Sequence, residues 1–360
     1  MRLKTILRCG MRAWLLRSTG EFPILREAPI NLISRPPKSS LSRGGIQRFA
    51  PRSGHAIARL FALRLCALTV AFSLPLVGYA AHAQAQPTPH PTVAVGPQYD
   101  TTHVYVAAGD FDAFVNSFVA TFGGKASKRI VGNVLPVPSS SEFQYILTPV
   151  GALSIFAYQT PIPFPFGEER TGYLITNMDQ AIEAARASGG EVIVEPFKDP
   201  IGMDAVIQWP GGVKMQLYWH FTPPSNPPLE TVPDNRVYVS RDQADNLVRC
   251  FAGFSGGKVV ADDKQADAGE LGRLGETYRR ISISSLFGNM QVLVTDGHLP
   301  YPFGHETTGY EVQDLRATLE KAKAAGVKIL SAPYATRERS SAIVEFPGGY
   351  IAEVHSEKLR

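Results

Sequence analysis

The sequence predicts an α+β fold of four βαβββ units, which pair into two cup-shaped, eight-stranded modules. Three observations lead to this prediction. The stretch PFGEERTGY at 165–173 returns as PFGHETTGY at 302–310, and the sequence on both sides of it repeats as well. Each of the two long repeats contains a shorter pattern written twice. In that pattern a β-type run precedes an amphipathic helix, and further β-type runs follow the helix.

The first unit shows the shorter pattern clearly. THVYVA at 102–107 is a β-type run, and Asp110 after it is a typical helix N-cap residue. Apolar residues then recur at helical spacing until Gly123, where two glycines end the helix: Phe111, Phe114, Val115, Phe118, Val119 and Phe122. The runs FQYILT and ALSIFAY follow as predicted strands.

The second unit restarts the pattern at GYLIT, 172–176. A helix is predicted from Asp179 to Ser188, where Gly189 and Gly190 stop it, and EVIVE, DAVIQW and VKMQLYW follow as strands. The third and fourth units repeat the first and second. The sequence therefore predicts one module at 101–222, a second at 236–357, and a Pro-rich linker at 223–235 between them.

The chain before the modules has the features of an export signal. Arg59 and Arg64 precede an apolar run from Leu65 to Ala81, and two small-x-small cleavage motifs end at Ala83 and Ala85. Residues 55–85 are therefore predicted to be a cleaved signal peptide; a membrane anchor is the alternative. Residues 1–54 are interpreted as a start codon assigned too early or a disordered leader, and residues 86–100 as a disordered linker. The predicted location is the periplasm or the medium, without membrane attachment after cleavage.

Charge and cysteine content narrow the function classes. The first 85 residues hold 13 of the 36 Lys and Arg residues and 2 of the 32 Asp and Glu residues, so the sequence pI of about 8.9 comes from the leader. The remainder is acidic and shows no basic patch, which argues against a nucleic-acid partner. Only Cys250 lies outside the leader, so an internal disulfide is excluded in the mature chain, and its apolar neighbours predict a buried thiol.

The order of these motifs resembles the vicinal oxygen chelate superfamily, which includes glyoxalase I, fosfomycin-resistance proteins, extradiol dioxygenases and bleomycin-resistance proteins. The resemblance covers about residues 101–356. It rests on the four unit starts, on the helices at Asp179 and Asp314 that end in glycine, and on the PGG motifs at Pro210 and Pro347. It implies that each module forms a cup and that a cup holds a small molecule, often with a divalent metal.

The resemblance implies metal ligands on the first and fourth strands of each unit, where His and Glu bind Fe, Zn, Mn or Ni. The matching residues in the first module are His103, Ile155, Tyr173 and Gln216, and in the second they are Arg236, Val292, Tyr310 and Glu353. Most of these side chains are poor metal ligands. We therefore expect no metal with the usual ligand set in either cup.

One alternative retains a metal site, built from one half of each module. This crossed site would combine His103 of the first module with Tyr310 and Glu353 of the second as three ligands. The other crossed set contains Arg236 and is metal-free. The competing interpretation of His103 is a strand histidine bonded to a neighbour. For Tyr173 and Tyr310 it is a packing aromatic whose hydroxyl finds a partner.

The remaining prediction is a site for a small organic molecule. Strand alternation places Gln216 and Tyr218 on one face, and Glu353 on one face with His355. Arg236 either pairs with Glu353 or holds a ligand carboxylate. The predicted ligand-binding residues are Tyr173, Gln216, Tyr218, Arg236, Tyr310 and His355.

The leading functional hypothesis is an exported glyoxalase-like protein, monomeric or homodimeric, that binds a small organic molecule in its cup and has lyase or dioxygenase activity. One alternative is a metal-dependent enzyme that uses the crossed site. The other is a non-catalytic binding protein similar to the bleomycin-resistance proteins.

Overall fold

The computed structural model describes residue 93 and residues 98–357. The predicted leader, the predicted signal peptide and most of the predicted disordered linker lie outside the described residues. In the described part of the chain, no helix is long and apolar enough to span a membrane. The four α-helices are α1 (Phe111–Phe122), α2 (Met178–Ala187), α3 (Arg241–Ser255) and α4 (Leu315–Ala324).

The strands follow the four-unit pattern. The first module contains β1 (Thr102–Tyr105), β2 (Lys125–Ala126), β3 (Ile130–Gly132), β4 (Ser141–Thr148), β5 (Gly151–Tyr158), β6 (Thr171–Leu174), β7 (Glu191–Lys198), β8 (Gly202–Trp209) and β9 (Val213–His220). The second contains β10 (Asp234–Ser240), β11 (Lys258–Asp267), β12 (Thr277–Ser285), β13 (Gly288–Thr295), β14 (Thr307–Glu311), β15 (Lys328–Ala335), β16 (Arg339–Glu345) and β17 (Ile351–Glu357).

Every unit has the same pairing scheme. Its first strand lies parallel to its last strand, as β1 does to β5, β6 to β9, β10 to β13 and β14 to β17. Its last three strands are antiparallel neighbours. The helix provides the crossover that a parallel pair requires. The α+β prediction with four βαβββ units is confirmed.

In each module, two units join through their first strands. In the second module, β10 and β14 are antiparallel neighbours and complete an eight-stranded sheet in the order β11-β12-β13-β10-β14-β17-β16-β15. In the first module, the amide of His103 donates to the carbonyl of Arg170 over 2.9 Å and joins β1 to β6. That module has nine strands because the strand after α1 is broken into β2 and β3, which both pair with β4.

The helices of the two modules pack against one another in pairs. Helix α1 contributes Phe114 and Phe118 to a core shared with α4 and the outer face of β14, β16 and β17. The ring of Phe118 lies 5.1 Å from that of Phe346 and 5.5 Å from that of Tyr310, between ring centroids. The first and fourth units therefore bury their apolar faces against each other.

The second and third units share the other core. Helix α2 contributes small residues such as Ala181 and Ala185, and α3 contributes Phe251 and Phe254. The ring of Phe254 lies 5.0 Å from that of Trp209 on β8. The predicted buried thiol is Cys250 in this same core, and it is free.

Candidate functional site

The two sheets each turn one face toward the helix cores and the other into a cup. On β1, Val104 belongs to the core, so His103 and Tyr105 face the first cup. On β9, Met215 and Leu217 belong to the core, so Gln216 and Tyr218 face the same cup, as predicted. The inner face of the first module is called the first cup below, and that of the second module is called the second cup.

Tyr173 and Tyr310 face the helix cores and not the cups, to which the family resemblance of the sequence assigned them. The ring of Tyr173 lies 4.9 Å from that of Phe287 in a helix core, and the hydroxyl of Tyr310 lies 3.0 Å from that of Tyr350. Ile155 and Val292, from the same matched set, are core residues too. The expectation that these four residues line the cups is therefore wrong.

Glycines take the cup-facing places next to the two tyrosines. A Cβ atom on Gly172 would lie 2.5 Å from Nε2 of His103, and one on Gly309 would lie 2.8 Å from Oε2 of Glu353. Both distances are too short for a side chain, so only glycine fits at these two cup-facing positions. The tyrosine that follows each glycine then faces the helix core. The close approach explains why TGY has its glycine at this point in both motifs.

Charged side chains fill the second cup. Glu353 on β17 lies 3.4 Å from Arg236, 3.4 Å from Arg339 and 2.7 Å from Nδ1 of His355. Arg339 also lies 3.3 Å from Glu270, which pairs with Arg280 and accepts a hydrogen bond from Tyr278. We call Arg236, Arg339, Glu353, His355 and Glu270 the buried ion cluster.

The charges of this cluster balance one another. Burial alone would raise the pKa of Glu353, but the charges of Arg236, Arg339 and His355 outweigh burial and hold that pKa well below its usual range. Burial alone would lower the pKa of Arg236, but Glu353, Tyr238, Glu270 and Tyr278 together outweigh burial and raise that pKa, so Arg236 remains charged. Of the two interpretations of Arg236, the structure supports the ion pair with Glu353.

Apolar residues close the remainder of the second cup. The short turn Ala268–Leu271 places Ala268 and Leu271 against Tyr278 and Leu293, and all four are buried. The side chains of the protein itself therefore occupy the space in which a ligand of the second cup would lie.

The crossed metal site is not assembled. His103 lies in the first cup with its ring 5.6 Å from that of Phe156, whereas Glu353 lies in the second cup within the buried ion cluster. Tyr310 lies in neither cup. The alternative in which His103 and Glu353 converge on one ion is contradicted, because the two modules meet through their helix faces and the two residues lie in separate cups.

The first cup is lined by aromatic rings that lie nearly parallel. Tyr105, Phe156 and Tyr158 form what we call the aromatic wall. Their centroids are 5.5–6.4 Å apart, and their planes lie within 22° of one another. All three side chains are partly exposed. Tyr158 also packs against the buried Phe166 and Val206. The parts of the three rings that remain exposed form a surface on which a planar molecule can stack.

Two buried polar groups beside the wall lack partners. Nδ1 of His103 and Oε2 of Glu169 have no hydrogen-bond partner among the described residues, while the other Glu169 oxygen accepts from the hydroxyl of Tyr105. Burial, followed by the charge of Arg170, lowers the pKa of His103 to about 4, so its ring is neutral at pH 7. Burial raises the pKa of Glu169 to about 7, so this carboxyl gains and loses its proton near neutrality.

The floor of the first cup is polar and bonded internally. Burial, followed by the charge of Asp199, raises the pKa of Asp204 well above its usual value, while a hydrogen bond from Gln216 opposes the rise. The hydroxyl of Tyr218 donates to the carbonyl of Asp100 over 2.7 Å. The predicted ligand-binding residues Gln216 and Tyr218 thus line the cup, but each already has a protein partner.

Solved structures show the same fold. A triple mutant of 4-hydroxymandelate synthase from Streptomyces coelicolor superposes with a TM-score of 0.51 at 10% identity, over 73% of this chain and 93% of that one. The protein has the vicinal oxygen chelate fold. No protein-family model and no curated protein matches the sequence.

Two further structures are similar at lower scores. The 2,3-dioxygenase LapB from Pseudomonas sp. KL28 has a TM-score of 0.49 at 11% identity and covers 74% of this chain and 95% of its own. The Mn(II)-bound glyoxalase from Novosphingobium aromaticivorans has a TM-score of 0.47 at 14% identity and covers 74% of this chain and 83% of its own.

The donor atoms of this protein do not suit a divalent metal in either cup. Within the described residues, no three His, Cys, Asp or Glu side chains are grouped so that they could hold an ion. In the first cup, His103 faces a glycine and an aromatic ring where further ligands would be needed. In the second cup, two arginines neutralise Glu353.

Four residues of the first cup were not predicted from the sequence: Tyr105, Phe156, Glu169 and Asp204. Two of them had a usable signal. Tyr105 lies two positions after His103 and therefore shares its strand face. Glu169 is the glutamate that both copies of PFGxExTGY retain. Asp204 and Phe156 had no such signal, because each lies on a strand whose inward face depends on the register.

Proposed function

We propose that the protein binds a small planar organic molecule in its first cup. The aromatic wall is the observation that carries the proposal, since three partly exposed parallel rings stand beside two unpartnered buried polar atoms. A planar ring would stack on the wall, while His103 and Glu169 would bond its polar substituents. Because the second cup is filled, the first cup is the one proposed for this ligand.

Replacing Phe156 with alanine is expected to weaken this binding. With 2-naphthol, a neutral planar phenol, as the probe, Phe156→Ala should raise the dissociation constant about tenfold, because a stacking partner contributes about 0.5–1.5 kcal/mol beyond its buried area. Fluorescence titration at pH 7 measures the constant. Circular dichroism of each variant confirms that it remains folded.

The matched control is Phe221→Ala, which removes a phenylalanine that is 52% exposed and outside the cup. This variant should bind 2-naphthol as the parent does. Equal dissociation constants for the parent and Phe156→Ala would contradict the proposal.

A second candidate function is lyase-type proton transfer by Glu169. A carboxyl with a pKa of about 7 and one free oxygen is suited to accept a carbon-bound proton from a ligand on the wall and to return it. In D₂O, the methyl protons of acetophenone should exchange at a rate that rises with pH through about 7. Glu169→Gln should abolish this exchange, whereas 2-naphthol should still bind, because glutamine retains an oxygen that accepts a hydrogen bond and the aromatic wall is unchanged. Unchanged exchange would exclude Glu169 as the base.

We also propose that the protein is exported with cleavage of residues 55–85, on the evidence of the signal-like sequence alone. Protein purified from the cell envelope or medium should begin at Gln84 or Gln86. Edman sequencing of this material distinguishes export from anchoring, because an anchored chain would retain residues before Ala81.

A further inference from the structure

A cavity lies where the two modules meet. Its volume is about 270 Å³. The first module contributes Tyr105 and Arg170 to its lining, and the second contributes the remainder: His305, Glu306, Gly349, Tyr350 and Ile351. We call it the junction cavity. Arg170 and Glu306 belong to the two copies of PFGxExTGY, so the repeated motif meets itself here.

Arg170 brings to this cavity a positive charge that has no ion-pair partner among the described residues. It is partly buried, and its Nη1 donates to the carbonyl of Gly167 over 2.9 Å. None of the ion pairs between the described residues includes it. A guanidinium group held by one carbonyl keeps donors free for a planar anion.

Glu306 does not cancel that charge at neutral pH. Burial raises its pKa to about 8, and the charge of Arg170 opposes this rise. Its Oε1 atom is buried and has no hydrogen-bond partner among the described residues. A protonated carboxyl next to an arginine presents a donor to an incoming anion. Burial and the charge of Arg170 also lower the pKa of His305, so this ring is neutral at pH 7 and adds no charge of its own to the cavity.

The remaining walls are apolar or aromatic. Tyr350 is buried, and its hydroxyl is already engaged with Tyr310, so its ring faces the cavity as an apolar surface. Ile351 and Tyr105 extend this surface. The volume lies just below that of typical small-molecule sites, so the cavity admits a compound of about one ring with one polar group.

We propose that the junction cavity binds a small organic carboxylate, with Arg170 as the partner of the carboxylate group and Glu306 as a second donor. This site shares Tyr105 with the aromatic wall of the first cup, but its polar groups, Arg170 and Glu306, are not used by the function proposed for that cup.

The test compares benzoate with its neutral analogue benzamide. Isothermal titration at pH 7 should show binding of benzoate and binding of benzamide that is weaker by roughly tenfold or more, because only benzoate forms charge-assisted hydrogen bonds with the guanidinium group. Arg170→Gln should reduce benzoate binding to the level of benzamide. Arg186→Gln, which removes an exposed arginine that pairs with Glu195, is the matched control and should not change it.

Crossed variants separate this site from the first cup. Phe156→Ala should leave benzoate binding unchanged, and Arg170→Gln should leave 2-naphthol binding unchanged. Arg170→Lys, which retains the charge but not the planar group, should give intermediate affinity for benzoate if Arg170→Gln proves poorly folded. Equal affinities for benzoate and benzamide, or loss of benzoate binding in Phe156→Ala but not in the Arg170 variants, would overturn the proposal.

Discussion

Glu353→Gln is expected to lower the free energy of unfolding by about 3–5 kcal/mol, because it leaves buried arginines without their counter-charge. Glu353 is fully buried, and Arg236 beside it is 1% exposed. The glutamine keeps the size of the side chain, so the loss reports charge and not volume. Chemical denaturation at pH 7 measures the change.

The same variant should alter the response to acid. The folded-state pKa of Glu353 is depressed below its ordinary value of 4.5, so its stabilising contribution is complete above that value and declines as the pH falls below it. Stability of the parent should therefore decline on acidification below about pH 4.5, and Glu353→Gln should flatten this decline.

Glu338→Gln is the matched control for the buried charge. It removes the same charge from a glutamate that is 62% exposed and pairs with Arg280 over 2.8 Å. An exposed ion pair contributes at most about 1 kcal/mol. A Glu353→Gln variant no less stable than Glu338→Gln would show that the buried ion cluster does not stabilise the second module.

Phe118→Ala is expected to cost about 3–5 kcal/mol, because it opens a cavity in the core that α1 shares with the fourth unit. Phe118 is fully buried and contacts aromatic rings of both modules. Leu274→Ala, at a position that is 75% exposed, should remain close to the parent. Thermal and chemical unfolding give the two values.

A double-mutant cycle between Phe118 and Phe346 tests the contact across the modules. The two rings lie 5.1 Å apart, so the double variant should lose less stability than the sum of the two single variants by at least about 0.5 kcal/mol. Strict additivity would mean that the first and fourth units do not share a core.

The architecture was predictable because a duplicated sequence repeats its signals. The helix that begins at Phe111 and ends before Gly123 was placed by spacing alone. The register of the strands was harder to predict from the sequence. The family resemblance assigned Tyr173 to the cup, whereas the pleat of β6 turns Gly172 into the cup, against His103. A shift of one residue moves a strand position to the other face, and no local signal indicated it.

The state of the second cup was not predictable from local sequence. Arg236, Arg339 and Glu270 lie on different elements, and their convergence on Glu353 depends on the whole sheet and on the turn at Ala268–Leu271. The ion pair between Arg236 and Glu353 was one of two open interpretations. The junction cavity could not be predicted from local sequence for the same reason, because its residues come from both modules.

The pairing of the first unit with the fourth sets the order in which the chain can fold. Helix α1 ends at Phe122, whereas its partner α4 begins at Leu315, near the end of the chain. A ribosome that adds 5–20 residues per second takes about 10–40 s to make the intervening segment. During this time, the phenylalanines of α1 pack on the sheet of their own unit but lack their partners Tyr310 and Phe346. We therefore expect part of this apolar surface to stay exposed on the nascent chain until its last helix has been synthesised.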